Sequence, residues 1–326
     1  MRTYCCPLPN TVEQLEALAR RLPPAHRKQT EIQASLKKEL AGIKGQNAIQ
    51  FPLRFLSIEP PPIVIHNPRL SDEHGFFEID VLVLCQQFIA ILEIKNWYGT
   101  LFVDGEQQII RVGDDGVEEG MANPFSQAKL QKHRLGKWLD HQGFCCDIPI
   151  LPLVIIAFPT TILKSLTPNT EIPSSLLHCH RLSWKISCLL EHYPKQAMSM
   201  KQLSMLSETI SRSHVVKELR ILDKYGIQKE MLRGGVFCPA CHSVPMARVH
   251  GSWQCPACKN KSQTAHMQAL RDYQLLLGSD ISNEDARLFL KISSSDLARR
   301  ILMESSIRSV GKGKGRRYEL GLDVHS

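Results

Sequence analysis

The stretch from residue 77 to residue 97 reads FEIDVLVLCQQFIAILEIKNW and predicts a β-hairpin. Apolar residues alternate with others in its first half, a polar Cys-Gln-Gln turn follows, and a second apolar run ends at Ile94. Side chains alternate between the two faces of a strand, so Glu93 and Lys95 must share one face. Charged groups in an apolar strand are costly unless a partner meets them. A divalent cation and a phosphate would be such partners.

The acidic residues and the lysine of this hairpin have an informative spacing. Asp80 is followed by twelve residues and then by Glu93-Ile94-Lys95. This pattern resembles the D…E-x-K core of the PD-(D/E)XK nuclease superfamily and, more narrowly, its nuclease-related (NERD) branch. Asn-Trp-Tyr-Gly at 96–99 and Asn-Pro-Phe-Ser-Gln at 123–127 are similar to that branch as well. An isolated E-x-K is a weak signal, so these flanking motifs carry the resemblance, which covers roughly residues 38–160.

The resemblance implies a fold and a chemistry. The fold would be α/β, with a restriction-endonuclease-like mixed sheet flanked by helices, and the chemistry would be metal-dependent hydrolysis of phosphodiester bonds. Mg²⁺ (or Mn²⁺) prefers oxygen ligands, and the ligands implied are Asp80, Glu93 and the backbone carbonyl of Ile94. Lys95 would orient or activate water and offset negative charge in the transition state. Gln127 would reach the scissile phosphate or that water.

Ordinary structural roles stay open for the same residues. Glu93 and Lys95 would then form a simple ion pair at a strand end, worth about 0–1 kcal/mol. Gln127, close to the start of a helix, would cap it or face solvent. The flanking motifs favour the metal-site interpretation over these roles.

One position departs from the family pattern. The family places a helical glutamate in a G-x-x-G-E motif beside the metal site, whereas residues 42–46 of this chain read Gly-Ile-Lys-Gly-Gln. Gln46 accepts hydrogen bonds but brings no charge, which puts turnover in doubt more than fold. Asp80 and Glu93 would suffice for one metal ion, or catalysis would be weak, or Glu39 would compensate. The alternative function is therefore a nucleic-acid-binding or regulatory protein on a nuclease-derived scaffold with little or no turnover.

A second strong signal lies near residue 250. Two Cys-Pro-Ala-Cys knuckles, separated by thirteen residues, predict one tetrahedral zinc ion held by four thiolates. Strands at 244–249 and 252–254 would form the connecting hairpin of a zinc ribbon. With four thiolates and no open position, the zinc would be structural. The predicted ligands are Cys238, Cys241, Cys255 and Cys258.

The C-terminal part predicts contact with nucleic acid. Three helical patterns, a short Ser-rich turn and a basic glycine-rich hairpin resemble a small helix-turn-helix module. Glycines let a backbone approach phosphates closely while cationic side chains supply charge. A helical cap with a flexible basic tail is the competing interpretation. The predicted nucleic-acid contacts are Lys312, Lys314, Arg316 and Arg317.

Composition adds weaker constraints. The net charge of +8 over 326 residues favours a negatively charged binding partner, and we expect nucleic acid, DNA in preference, as the partner. No apolar run is long enough for a membrane span or a signal-peptide core, so a cytoplasmic protein without membrane contact is expected. Eleven cysteines, including the adjacent pairs Cys5-Cys6 and Cys145-Cys146, argue against a disulfide framework. The oligomeric state is left open, and a partner-binding scaffold without nucleic acid is a third function class.

The order of signals predicts five segments. They are an N-terminal helical extension at 1–37, the nuclease-like domain at 38–195, a helical connector at 196–233, the zinc ribbon at 234–262 and the basic helix-turn-helix-like module at 263–326. The nuclease-like domain is predicted to start with a helix over 46–56, after the glycines. A strand is predicted over 176–182, where His178 and His180 would share one face and have no assigned role.

Overall fold

The computed structural model describes residues 2–56, 58–144 and 147–321, apart from the side chain of Lys314. Cys145 and Cys146 therefore lie outside the described residues, and none of the other nine cysteines forms a disulfide. The chain divides into two compact units. The first contains Met1–Pro9 and Leu40–Lys217, and the second contains Asn10–Glu39 and Glu218–Ser326. The five predicted segments remain a prediction.

The described residues form ten α-helices, eighteen strands and three short 3₁₀ turns. The helices are α1 Thr11–Arg21, α2 Gln29–Ala48, α3 Gln50–Arg54, α4 Pro124–His141, α5 Leu182–His192, α6 Met200–Ser213, α7 Ile221–Tyr225, α8 Ala265–Leu277, α9 Asn283–Leu290 and α10 Ser295–Ser305. The strands are β1 Arg2–Cys5, β2 Ile63–His66, β3 Arg69–Asp72, β4 Gly75–Glu78, β5 Val81–Leu84, β6 Ile89–Lys95, β7 Thr100–Asp104, β8 Gln108–Val112, β9 Glu118–Gly120, β10 Ile150–Ile156, β11 Ile162–Ser165, β12 Leu176–His178, β13 Ala247–Val249, β14 Ser252–Gln254, β15 Lys261–Ser262, β16 Asp280–Ser282, β17 Ser306–Val310 and β18 Arg317–Leu320.

A six-stranded mixed sheet forms the centre of the first unit, in the order β1-β2-β5-β6-β10-β12. The predicted hairpin is confirmed as β5 and β6, which pair antiparallel with Val81 opposite Leu92. Strand β10 lies parallel to β6 and to β12. Its run of apolar residues is typical of a central strand, because a strand with neighbours on both edges and helices on both faces is apolar throughout. The predicted α/β fold class is confirmed.

Helices cover both faces of this sheet. On one face, Leu135 and Trp138 of α4 join an apolar cluster with the side chains of Leu82 and Ile91. On the other, α3 and α5 pack against Val81, Val83 and Leu92. Helix α4 has Pro124 at its first position, and the Asn123 side chain caps it by accepting a hydrogen bond from the amide of Ser126. Because side chains alternate between the two faces of the hairpin, its apolar residues join two separate hydrophobic clusters, one on each face of the sheet.

The helix predicted over 46–56 is wrong at its start. Helix α2 runs without a break through Gly42 and Gly45 and ends at Ala48, and the short α3 follows. Gly45 serves a close approach rather than a helix end, because a Cβ atom there would lie 2.8 Å from the Cβ of Asn96. A pattern of two glycines three apart does not distinguish these two uses.

Two further details differ from the sequence prediction. The strand predicted over 176–182 ends at His178, and Cys179–Arg181 forms a 3₁₀ turn before α5. His178 and His180 therefore do not share one strand face, although their rings stack with centroids 5.6 Å apart. Strand β1, which pairs parallel with β2, lies within the segment predicted as a helical extension.

The second unit contains the zinc-ribbon segment, helices α8 to α10 and a small antiparallel sheet in the order β16-β18-β17. A buried ion-pair cluster anchors it: the fully buried Asp272 accepts hydrogen bonds from Arg20 and from Arg21, at 2.9 and 2.7 Å. Arg21 also donates to the carbonyl oxygens of Arg233 and Gly235. The C-terminal module thus combines helices with a small sheet, and the predicted glycine-rich hairpin forms two strands of that sheet.

No helix within the described residues is both long enough and apolar enough to cross a membrane.

Candidate active site and thiolate cluster

Asp80 lies directly before β5, where the ladder between β5 and β6 ends. The register that pairs Val81 with Leu92 brings Asp80 beside Glu93. Its Oδ2 accepts a hydrogen bond from the backbone amide of Ile94 at 2.8 Å, and its Oδ1 accepts one from Nε2 of Gln46 at 3.2 Å. The hairpin register therefore brings Asp80 beside Glu93, and helix α2 brings Gln46 to Asp80.

Glu93 is almost fully buried, with 1% of its surface exposed. Its Oε1 accepts a hydrogen bond from Nζ of Lys95 at 2.6 Å, and its Oε2 accepts one from Nε2 of Gln131 at 2.8 Å. Lys95 also donates to Oε1 of Gln127 at 3.1 Å. A carboxylate this deeply buried is stable only when its oxygens are hydrogen-bonded or neutralised. The lysine and the helix α4 supply the hydrogen bonds.

The charges of this site do not balance. Two carboxylates, Asp80 and Glu93, face a single ammonium group, that of Lys95, and the other partners are neutral amides. Burial, reinforced by the charge of Glu93, raises the pKa of Asp80 to about 7 from its ordinary 3.8, although the Ile94 amide and Lys95 oppose the rise. Paired carboxylates with too few cations are a common environment of functional sites.

Gln131 is a site residue that the sequence analysis does not assign. It is buried, and besides Glu93 it donates to the carbonyl oxygen of Glu78 at 3.0 Å. Its Oε1 is buried and has no hydrogen-bond partner among the described residues. Gln127 and Gln131 are four residues apart, and this spacing places both on one face of α4. The spacing relates Gln131 to Gln127, but it does not indicate the contact with Glu93.

Helix α2 is fixed against the sheet near Gln46. Nδ2 of Asn96 donates to the carbonyl oxygen of Ala41 at 2.7 Å, and Gly45 leaves room for the Asn96 side chain. The asparagine that follows Lys95 therefore anchors the turn that presents Gln46 to Asp80. Glu39 precedes Gln46 by seven residues of the same helix, about 10 Å along its axis. It is therefore distant from the position that Gln46 occupies.

The residues at this site fit a hard divalent cation. Asp80 and Glu93 offer carboxylate oxygens with further lone pairs beyond the hydrogen bonds they accept, and such oxygens are preferred ligands of Mg²⁺ and Mn²⁺. A cavity of about 80 Å³ opens beside Asp80 and Gln46, with Arg69 and Lys217 also in its lining. It is large enough for one or two water molecules. The unbalanced negative charge and the buried, unpartnered Oε1 of Gln131 both agree with this fit.

The four cysteines of the two knuckles converge in the second unit. Their Sγ atoms all lie within 4.8 Å of one another, and four thiolates bound to one zinc ion would be about 3.8 Å apart. Each knuckle turns back at a residue with positive φ, His242 or Lys259, whose amide donates to the carbonyl of the first cysteine. Strands β13, β14 and β15 form the predicted hairpin and one further strand. The arrangement is that of a zinc ribbon.

The predicted nucleic-acid contacts lie around the hairpin between β17 and β18. Lys312 is exposed, and Nε of Arg316 donates to the carbonyl of Gly311 at 3.4 Å. Arg317 is already paired, at 2.8 Å from Asp280 and 3.8 Å from Asp285. The side chain of Lys314 lies outside the described structure.

The comparison with known families agrees with the resemblance drawn from the hairpin. A family model described as the nuclease-related domain (NERD) matches residues 41–157. The match includes Gln46, Asp80, Glu93, Lys95 and both glutamines of α4, and it excludes the zinc ribbon and the C-terminal module. Neither the curated proteins nor the solved structures contain a match to the chain.

Proposed function

We propose that the first unit hydrolyses phosphodiester bonds of nucleic acid, DNA in preference, with a divalent metal ion, Mg²⁺ or Mn²⁺. The observation that supports this most is the pairing of Asp80 with the buried Glu93 beside a single lysine, within a segment that matches the nuclease-related domain. Asp80, Glu93 and the carbonyl oxygen of Ile94 would hold the ion. When bound, it would polarise the phosphoryl oxygen and make an attacking water more acidic.

The side chains around the two carboxylates would each have a distinct role in the reaction. Lys95 has three N–H groups, of which Glu93 and Gln127 accept two. The third is available to orient a water or to donate to a phosphoryl oxygen as negative charge develops. Gln127 fixes the ammonium group through Oε1 and keeps its amide N–H groups for the substrate. Gln131 holds Glu93 in one orientation from the buried side of α4.

Gln46 supports a second candidate function. It donates a hydrogen bond to Asp80 where the family places a carboxylate, so it orients Asp80 without adding a metal ligand of negative charge. A protein of this kind would bind nucleic acid or regulate its processing with little or no turnover. Nucleic acid would then bind at the surface around Asp80 and Gln46 and at the second unit.

The four cysteines would carry a structural zinc ion. Their sulfur atoms would supply all four ligands, so no position would be left for a substrate. The ion would stabilise a ribbon whose own apolar core is small. The cytoplasmic location also remains a proposal.

Cleavage assays separate the two candidate functions. Purified protein is incubated with linear, circular and single-stranded DNA and with RNA, in Mg²⁺, in Mn²⁺ and without added metal, and binding is measured in parallel. We expect metal-dependent cleavage that Lys95→Ala and Asp80→Ala abolish while binding is largely retained. Lys129→Ala is the matched control, since it removes one exposed ammonium group of α4 and should leave cleavage unchanged. Binding without cleavage by the unmodified protein would support the second function instead.

A further inference from the structure

Helices α9 and α10 form a helix-turn-helix with a rigid connection. Lys291 adopts a left-handed conformation, φ 58°, that ends α9, and the Ser294 side chain accepts a hydrogen bond from the amide of Leu297 at the start of α10. Asn283 and Ser295 bridge the two helices, with Nδ2 of Asn283 donating to the Ser295 carbonyl at 2.9 Å and the Ser295 hydroxyl donating to Oδ1 of Asn283 at 3.1 Å. The turn therefore fixes the angle between the helices.

A basic hairpin follows α10 directly. Strands β17 and β18 pair antiparallel, and β18 also pairs with β16, which precedes α9. The tip, residues 311–316, reads Gly-Lys-Gly-Lys-Gly-Arg. Gly311 takes φ 87°, and a Cβ atom there would lie 2.9 Å from the carbonyl oxygen of Gly315. The tight tip thus carries the exposed Lys312 at the end of a sheet that packs on α10.

Helix α10 has one buried and one exposed face. Ala298, Ile301 and Leu302 are buried in the core of the second unit. Arg299 and Arg300 lie on the exposed face, and neither forms an ion pair with any residue in the described part of the chain. By contrast, Arg308 and Arg317 of the hairpin are paired with carboxylates. The two arginines of α10 therefore present exposed guanidinium groups that no carboxylate neutralises within the described residues.

The zinc ribbon adds a third arginine to this surface. Arg248 lies over the ring of Trp253, 5.2 Å from its centroid, and its Nη1 is buried without a partner among the described residues. Burial and the nearby charge of Arg300 lower the pKa of Arg248, and the carboxylate of Glu304 opposes them. Two neighbouring guanidinium groups attract an incoming anion, because their single carboxylate neighbour offsets only part of their positive charge. The ribbon therefore extends the basic surface of α10.

We propose that this surface binds double-stranded DNA, with Arg299 and Arg300 of α10 in the major groove and Lys312 and Arg316 on the adjacent phosphates. The major groove of B-form DNA is about 12 Å wide and admits an α-helix, and arginine pairs with guanine there. The major groove of A-form RNA is too narrow for side chains to read, and a single strand has no groove. The proposal goes beyond the proposed function, because it concerns the second unit and requires no cleavage.

The test measures binding by the full chain carrying Asp80→Ala, so that cleavage does not interfere. Fluorescence anisotropy is recorded with a labelled DNA duplex of about two helical turns, with the same sequence as duplex RNA and with one DNA strand. We expect the DNA duplex to bind most tightly. Adding Arg299→Ala and Arg300→Ala should weaken that binding about tenfold or more, with a smaller loss for the other two ligands. Circular dichroism checks that the variant is folded.

The matched control removes two exposed charges elsewhere. Lys201→Ala with Arg212→Ala, on α6 of the first unit, should change duplex binding less than about twofold, the effect of net charge alone. Equal binding of duplex DNA, duplex RNA and single strand would overturn the proposal. Equal losses from the α10 and α6 variants would overturn it as well. A protein that binds duplex DNA through α10 but never cleaves it would contradict only the proposed nuclease function.

Discussion

Replacing Asp80 with asparagine should stabilise the metal-free protein. In the folded chain, burial and the neighbouring Glu93 raise the pKa of Asp80 to about 7, whereas its ordinary value is 3.8. The folded state therefore holds a proton on Asp80 more tightly than the unfolded state does. Stability falls as the pH rises from about 4 to about 7, and the full destabilisation is present above that range. A neutral amide at this position removes it.

The size of the effect follows from the same shift. The difference between the ordinary pKa of 3.8 and the pKa of about 7 in the folded chain corresponds to at most roughly 4 kcal/mol in the free energy of unfolding. Solvent screening at the partly exposed Asp80 reduces this, so we expect a gain of about 1–3 kcal/mol at pH ~8. The side-chain oxygen of the introduced asparagine can keep the hydrogen bond from the Ile94 amide. Gln46 can turn its amide so that its oxygen accepts from the new NH₂ group.

Denaturant unfolding measures this directly in metal-free buffer. The Asp80→Asn variant should exceed the unmodified protein in free energy of unfolding at pH ~8, and the difference should shrink toward pH ~4. Asp114→Asn, at an exposed turn, serves as the control and should change stability by less than about 0.5 kcal/mol. Added Mg²⁺ should stabilise the unmodified protein and not the variant, because only a folded site with its ligands binds the ion.

Two results would refute this reasoning. The first is a variant less stable than the unmodified protein at pH ~8, which would mean that the Asp80 carboxylate is a net stabilising group. The second is a stability difference that does not vary with pH, which would show that Asp80 titrates alike in the folded and unfolded chains.

Three further predictions concern other parts of the molecule. Gln46→Glu should raise the cleavage rate and lower metal-free stability, because it adds a third carboxylate beside Asp80; an unchanged rate in a cleavage assay would count against a metal-site role for Gln46. Hydrogen bonding with Arg134 lowers the pKa of Asp72 to about 2 from 3.8, so the stability lost in Asp72→Asn at neutral pH should vanish as the pH falls through that range, as unfolding titrations would show. Atomic absorption should find one zinc ion per chain, and the Cys255→Ser variant should bind none. Chelation of the zinc should shift the fluorescence of the buried Trp253 to longer wavelength.

The parts of the site that the sequence predicts are those set by local rules. The hairpin follows from a period of two over one short turn, and its register then brings Asp80 beside Glu93. The thiolate cluster follows from two knuckles that each close within four residues. The start of α4 follows from an asparagine cap and a proline. In each case the controlling contacts join residues close in the chain.

The parts that escaped prediction depend on contacts between distant segments. Gln131 meets Glu93 because α4 packs on β6, and no spacing within either element states that. Gly45 is required by Asn96, which lies 51 residues further along the chain. The sheet of the C-terminal module joins β16 to β18 across 37 residues, as the ion pair of Asp280 with Arg317 also does. Short polar strands of three to five residues give little periodic signal.

The glutamines around the site explain why its charge stays unbalanced. Gln46, Gln127 and Gln131 each hold one ionised neighbour by a hydrogen bond, and none of them carries charge. They can therefore fix the positions of Asp80, Glu93 and Lys95 without neutralising the excess carboxylate. A glutamate in place of Gln46 or Gln131 would increase the repulsion between carboxylates, and a lysine there would satisfy the carboxylates internally. Neutral amides keep the geometry and leave the negative charge for a cation from solution, so substitution of Gln131 by lysine should abolish the stabilisation by Mg²⁺ even where the fold is retained.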